Sequence, residues 1–328
     1  MDYLEGQIRS LVYDQIAPGV SYAVIDHGNI RQGCLGDNSW YPTTTSLHPN
    51  MLYDLASLTK VIGTTTVLLH LIETGKLSFS TKICEYFPGF DSKVTIAHLM
   101  THSSGIKGYI PNRDKLNASE LEDAILHLPI TSDFEKIIKY TDSGPIIMGM
   151  IIEKIYHEPV QQVITEQILQ PLGLTTATFN PDPKNCVVTN KRDGKWLYGQ
   201  VHDPKAYQLG KHCGSAGMFA EIDDLIKFAQ FMLGQLKLKQ VPIHAATIDK
   251  LFHNFTKINP GRSFGWDLRK NKNNQYAIFH TGFTGNLLAV DRKRQRAMIY
   301  LSNRVHPFND NKKYLDYKDA ILDAFLME

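Results

Sequence analysis

Apolar residues recur along this chain with two periods, one helical and one of strand type. Leu4, Ile8, Leu11 and Val12 share one face at helical spacing, which predicts an N-terminal amphipathic helix ended by Pro18-Gly19. Residues 20–25 then read as a strand, Asp26-His27-Gly28-Asn29 as a tight turn, and 30–35 as the hairpin partner. A Thr/Pro/Asn-rich loop over 40–50 leads to a helix that starts around Ser57 and runs to Thr74, with Gly75 at its C-terminal cap. The stretch from about 80 to 178 is mostly helical in pattern, with candidates at 95–101, 119–128, 132–139, 144–156 and 160–169, punctuated by Pro129, Pro159 and Pro171. After a proline-containing loop passage, 223–233 and 245–252 are helical again. The pattern then turns to short strands at 264–268, 276–280, 287–290 and 297–301, before a closing helix over 314–326. Strands near both ends, with helices between them, predict one sheet built from the two ends of the chain. The expected division is a discontinuous α/β part, 1–79 and 205–328, interrupted by a mainly helical subdomain at 80–204, with the active site in the cleft between them.

The chain has 328 residues, 43% of them hydrophobic, enough for a sizeable core. A formal charge of +2 points to neither a nucleic-acid nor a membrane-surface partner. The basic runs Arg292-Lys293-Arg294 and Arg269-Lys270 with Lys272 sit beside turn-like residues and are expected to decorate hairpin tips. The apolar run around Ile146 to Ile152 is too short to span a bilayer. The opening Met1-Asp2-Tyr3-Leu4-Glu5 is acidic where a secretory signal would be cationic, and no apolar segment of that kind follows. Cys34, Cys84, Cys186 and Cys213 are scattered without metal-type pairing and read as reduced thiols of a cytoplasmic protein.

Candidate chemistry starts at Ser57-Leu-Thr-Lys60. Residues three apart on a helix are neighbours, so the hydroxyl and the amine fall within hydrogen-bond reach. A serine is a poor nucleophile until a base takes its proton, and a lysine stripped of water can have a lowered pKa and serve as that base. Accidental spacing on an exposed helix is the bland alternative. Leu52, Leu55, Ala56, Leu58, Val61 and Ile62 argue against it, because a lysine among them must find a partner.

Two further motifs join it. Tyr140-Thr141-Asp142-Ser143-Gly144 lies between predicted helices, and His280-Thr281-Gly282-Phe283-Thr284-Gly285 ends a predicted strand. Each alone would pass as a loop. In this order and spacing the three resemble the signature of the serine β-lactamase and penicillin-binding-protein superfamily. The tyrosine-containing variant is most similar to class C β-lactamases, D-alanyl-D-alanine carboxypeptidases and β-lactamase-like esterases. The stretches 98–105 and 214–219 also resemble that family. The resemblance implies an α/β fold of α+β type, with an antiparallel sheet flanked by helices and an inserted helical subdomain. It implies no cofactor and no metal.

Carried over by the resemblance, Ser57 is the acyl-accepting nucleophile. Lys60 and Tyr140 share the general-base and general-acid work, and either can be the base. The backbone N–H groups of Ser57 and Phe283 form the oxyanion hole, and Asp142, His280, Thr281 and Gly282 contact substrate.

Two departures bear on substrate. His280 stands where the family has lysine, and an unperturbed imidazole is mostly neutral at pH 7. Asp142 stands where asparagine is expected, and an ionised carboxylate accepts hydrogen bonds but donates none. Asp142 would repel an anionic ligand and could pair with Lys60 or His280, and a carboxylate beside Lys60 would raise its pKa. Both changes point away from β-lactams and acyl-D-Ala-D-Ala and toward esters. The expectation is a serine esterase acting on a small ester, amide or β-lactam-like molecule through an acyl-enzyme.

Three other readings stand beside it: a penicillin-binding protein, carboxypeptidase or β-lactamase; a sensor of cell-wall fragments that acylates without turnover; and a metal site at His98 and His102. The third lacks both a glutamate after His98 and a third ligand, so two structural histidines are favoured. Trp40, Tyr53, Trp196, Tyr207 and Trp266 are read as packing residues, His202-Asp203 as a loop cap before Pro204, and Cys213 as a small buried hydrophobe.

Overall fold

The computed structural model describes residues 2–308 and 312–328. Helix α1 (Asp2–Tyr13) precedes the hairpin β1 (Gly19–Asp26) and β2 (Asn29–Ser39), followed by short β3 (Thr45–Ser46) and β4 (Tyr53–Asp54). Then come α2 (Thr65–Glu73), α3 (Ile96–Met100), α4 (Ala118–Leu126), α5 (Ser143–Tyr156), α6 (Val160–Ile164) and α7 (Gln170–Leu172). A small hairpin, β5 (Lys191–Arg192) and β6 (Lys195–Trp196), leads to α8 (Pro204–Leu209), β7 (Phe219–Ala220), α9 (Ile222–Leu233) and α10 (Ala245–Lys250). The chain returns to the sheet through β8 (Asp267–Lys270), β9 (Tyr276–Gly282), β10 (Asn286–Asp291) and β11 (Arg296–Ser302), and α11 (Lys313–Met327) closes it.

Among the described residues, seven strands form one antiparallel sheet in the order β3-β2-β1-β11-β10-β9-β8. The two ends of the chain meet at its centre, where Tyr22 pairs with Tyr300 and Ala23 with Ile299. Side chains alternate between faces along a strand. Val20, Tyr22, Val24, Met298 and Tyr300 therefore pack against Leu4, Ile8 and Leu11 of α1 and Ile321 and Phe325 of α11. Ala23, Ile25, Ala297 and Ile299 face the larger core that includes α2, α5 and α9. Cover on both faces explains why β1 is an almost unbroken apolar run rather than an alternating one. Arg292 and Arg294 lie between β10 and β11, as hairpin tips should. No helix among the described residues is long and apolar enough to cross a membrane.

Three local expectations need correction. Residues 132–139 form turns, not a helix. Glu135 takes a left-handed φ of 55°, its N–H reaches the Ser103 carbonyl (2.9 Å) and its carboxylate meets His98 Nε2 (3.1 Å), so tertiary partners replace the helical ladder. The loop over 40–50 contains the edge strand β3. The strand expected at 264–268 starts only at Asp267, because Gly265 turns the chain at φ 77° and the Ser263 N–H closes onto the Trp266 carbonyl (3.0 Å).

Candidate active site

Ser57 stands on a tight turn. Ala56, just before it, has a left-handed φ of 46°. The N–H groups of Leu58, Thr59 and Lys60 then bond back three residues, to Leu55, Ala56 and Ser57. The helix opens with a wide turn over Lys60–Thr64 before becoming regular in α2. Short wide turns of this type often mark functional sites. Beneath lies the 214–219 segment: the Leu55 N–H bonds to the Met218 carbonyl (2.9 Å), and Thr64 Oγ1 donates to the Gly214 carbonyl (2.6 Å).

Lys60 is buried, and its amine has three acceptors: Ser57 Oγ (2.7 Å), the Ser215 carbonyl (2.8 Å) and Asp142 Oδ1 (2.8 Å). An ammonium has three N–H donors, so this set of partners suits the charged form. Burial alone would depress the Lys60 pKa, but the Asp142 carboxylate, followed by Tyr140, pulls it above the ordinary lysine range. The lowered pKa expected for a desolvated lysine is therefore corrected; the opposing effect of a nearby carboxylate prevails. Asp142 is in turn held well below the usual carboxylate range: burial opposes ionisation, but Lys60 and Lys205 overcome it. Its second oxygen, Oδ2, lies 2.9 Å from Lys205 Nζ. Asp142 does not pair with His280.

Tyr140 is half-exposed and lines the cavity, with its ring centroid 5.3 Å from Lys60 Nζ. The 98–105 stretch orients it: the buried His102 ring packs against Tyr140 at 4.7 Å with a 36° tilt, its carbonyl accepts the Lys139 N–H (2.9 Å), and its Nδ1 accepts the Thr141 N–H (3.4 Å). His98 instead bonds Thr95 and Glu135, and no cluster of three metal-type ligands occurs among the described residues.

His280, Thr281 and Gly282 end β9 on the opposite wall. Gly282 is required by close approach: a Cβ there would come within 2.6 Å of the Leu55 carbonyl. His280 is buried, and burial, then Arg262 and Lys60, drive its pKa well below the ordinary value, so it is uncharged at neutral pH. Phe283 follows β9 with an exposed ring stacked on His202 at 5.4 Å.

These elements enclose a cavity of about 580 Å³. Ser57, Tyr140, Asp142, His280, Thr281 and Phe283 line it together, and Lys60 and Gly282 support it from behind. Arg113, Arg262 and Asp267, which carry no motif, also line it, as do His202 and Asp203 of the loop cap before Pro204. Asp203 does cap α8, accepting the Ala206 N–H at 2.8 Å, and also faces the cavity. Arg262 is buried, ion-paired with Asp267, and leaves its Nε without a partner. No local signal marks Arg262 or Lys205, since their partners are brought in by the fold. Asp54, two residues before Ala56, had a signal in its place among apolar neighbours. It is fully buried, and burial raises its pKa to about 6 although the His202 and Ala56 N–H groups bond to it. Tyr53 and Trp266 are core residues and line none of this cavity.

Comparison with known proteins identifies relatives of this chain. A "Putative D-alanyl-D-alanine carboxypeptidase" of Salmonella gallinarum is 30% identical, over 92% of this chain and 82% of the relative. The solved structure titled "A class C beta-lactamase" superposes with a TM-score of 0.80 at 19% identity, covering 98% of this chain and 95% of that one. EstCE1, "a hydrolase with promiscuous acyltransferase activity", gives 0.78 at 16% identity, covering 98% and 97%. At such identities the two structures speak for the fold. The family model described as Beta-lactamase matches residues 4–322, so the chain belongs to the beta-lactamase family, within the serine β-lactamase and penicillin-binding-protein superfamily.

Proposed function

We propose that this protein is a serine hydrolase that cleaves esters through an acyl-enzyme on Ser57. The observation that carries the reading is the 2.7 Å contact of Lys60 Nζ with Ser57 Oγ at the wall of a substrate-sized cavity. Ser57 Oγ attacks the ester carbonyl carbon, forming the Oγ–C bond. The former carbonyl oxygen takes up negative charge beside the Ser57 and Phe283 N–H groups. With Lys60 held as an ammonium by Asp142, Tyr140 in its phenolate form is the better candidate to receive the Ser57 proton, becoming the phenol, and to pass that proton to the departing alkoxide as the C–O bond breaks. Water then adds to the acyl carbon, the Oγ–C bond breaks, and the proton returns to Ser57 as the carboxylic acid leaves.

Ester preference is supported by two features of the wall. His280 is uncharged where a fixed cation would hold a substrate carboxylate, and both Asp142 oxygens are taken by lysines, leaving no donor for a substrate amide carbonyl. A D-alanyl-D-alanine carboxypeptidase is the second reading. It is favoured by the name of the Salmonella relative and by Arg262, a buried cavity cation with an unpaired Nε that suits a carboxylate. Rates on short-chain aryl esters, a cephalosporin and an acyl-D-Ala-D-Ala peptide, with wild type and Ser57→Ala, test the choice. The expected result is fastest turnover of the esters, lost in Ser57→Ala. Faster release of D-alanine would favour the second reading, and faster cephalosporin hydrolysis would overturn the ester assignment.

A further inference from the structure

Asp142 does not face Lys60 alone. Its two oxygens are shared between two amines, Lys60 at 2.8 Å and Lys205 at 2.9 Å, and both lysine side chains are largely withdrawn from solvent, at 3% and 11% exposure. Lys60 belongs to the nucleophile helix, Asp142 precedes α5, and Lys205 sits in the first turn of α8. The three are separated by more than sixty residues at each step, so only the fold assembles them.

We infer that Lys205 is a positioning residue that offsets part of the Asp142 charge at Lys60, so that the Asp142–Lys205 pair is a weaker anion toward the lysine beside the nucleophile than a lone carboxylate would be. The inference rests on the reading of Ser57 and Lys60 as the reacting pair. A lone carboxylate 2.8 Å from Lys60 in a dry site would tighten that amine's hold on its proton. Lys60, already held as an ammonium, would then keep its proton tighter still and be a weaker hydrogen-bond donor to Ser57 Oγ. A second cation on the far oxygen draws the carboxylate's charge away and leaves the triad with one net positive charge, the same as a lysine beside a neutral amide. It also fixes the plane of the carboxylate, so that Oδ1 stays aimed at Lys60.

The neighbouring charges do not supply this balance. Around Lys60 stand Tyr140, His102, His280 and Arg262, of which both histidines are driven toward the neutral form by burial. Arg262 is committed to Asp267. Lys205 meets Asp203 as well, but at 3.5 Å, farther than Asp142, and Arg113 opposes it from the 3₁₀ turn Arg113–Lys115.

A double-mutant cycle on aryl ester turnover tests the inference. Lys205→Met is expected to slow Ser57-dependent turnover at least tenfold at neutral pH and to move the low-pH limb of the pH–rate profile upward. In the Asp142→Asn background, where there is no charge to cancel, the same substitution should change the rate less than threefold. Lys205→Arg, which keeps the cation, should recover most of the rate lost in Lys205→Met. A merely structural salt bridge, broken from either side, would leave the double variant as slow as Lys205→Met. Charge offset instead predicts that Asp142→Asn with Lys205→Met turns over faster than Lys205→Met alone and returns the low-pH limb. A double variant no faster than Lys205→Met would overturn the role. Equal effects of Lys205→Met in both backgrounds, or no effect in the wild-type background, would overturn the role of Lys205. Should Lys205→Met not fold, Lys205→Gln enters the same cycle. Ser57→Ala separates the two failures: turnover unchanged in that variant removes the nucleophile assignment itself, whereas Ser57-dependent turnover with an additive cycle removes only the positioning role.

Discussion

Asp54 Oδ2 accepts the backbone N–H of His202 at 2.6 Å, while its Oδ1 accepts that of Ala56 at 2.8 Å. One buried carboxylate thereby ties the turn before Ser57 to the loop whose His202 ring stacks on Phe283. Its own carbonyl accepts from Thr284 Oγ1 (2.7 Å) and Asn286 Nδ2 (2.8 Å), which fastens the stretch just after Phe283 to the same point. Asp54→Asn keeps the size but turns an amide NH₂ toward one of these N–H groups. A buried donor left unsatisfied costs about 1–3 kcal/mol. The expected outcome is a loss of that size in chemical denaturation, with kcat on an aryl ester lowered more than KM is raised.

Stability should fall on mild acidification. His102 and His280 are buried and held neutral, by burial first and Arg262 next, whereas unfolded histidines titrate near 6.5. Below that pH the unfolded chain takes up protons that the fold refuses, so stability is lost as pH drops through 6.5, by about 1 kcal/mol per histidine on reaching about pH 5.5. Asp54 acts in the opposite sense. Its folded pKa of about 6 lies above the unfolded value, so the fold gains a proton first and recovers part of the loss. Denaturation at pH 7.5 and 5.5 should show a net decrease, and His280→Asn should reduce it.

Tyr140→Phe keeps the ring near Lys60 and its contact with His102 while removing the hydroxyl. If Tyr140 carries the proton between Ser57 and the leaving oxygen, kcat should fall roughly 10²–10⁴-fold with little change in melting temperature. A loss below about threefold would return the base role to Lys60.

Gly282→Ala would drive a Cβ to within 2.6 Å of the Leu55 carbonyl, where backbone cannot yield cheaply. Overpacking of this kind typically costs about 1–3 kcal/mol. The strand β9 must shift away from the turn before Ser57, so Ser57-dependent turnover should fall further than stability alone would predict. Labelling of Ser57 by a fluorophosphonate should slow in parallel.

The candidate site was legible where its chemistry is local. Ser57 and Lys60 share a helix turn, so their contact follows from spacing. Tyr140 and His280 could be picked out only because their motifs occur in a familiar order. Residues 132–139 show the limit of local pattern: helical spacing lost there to the partners that Ser103 and His98 offer Glu135.

The sequence by itself determined the alternation that builds the sheet, the amphipathic helices that cover it, and the family. These depend on near neighbours and on burial, which leave periodic marks along a chain. Only the tertiary structure decided the electrostatics of the cavity. Lys205 reaches Asp142, Arg262 reaches His280's surroundings, and Asp54 reaches His202 across long stretches of chain. Charge acts through space and local dielectric rather than along the backbone. That is why Lys60, which reads in the sequence as a desolvated base, is held in the fold as an ammonium with its three hydrogen bonds satisfied.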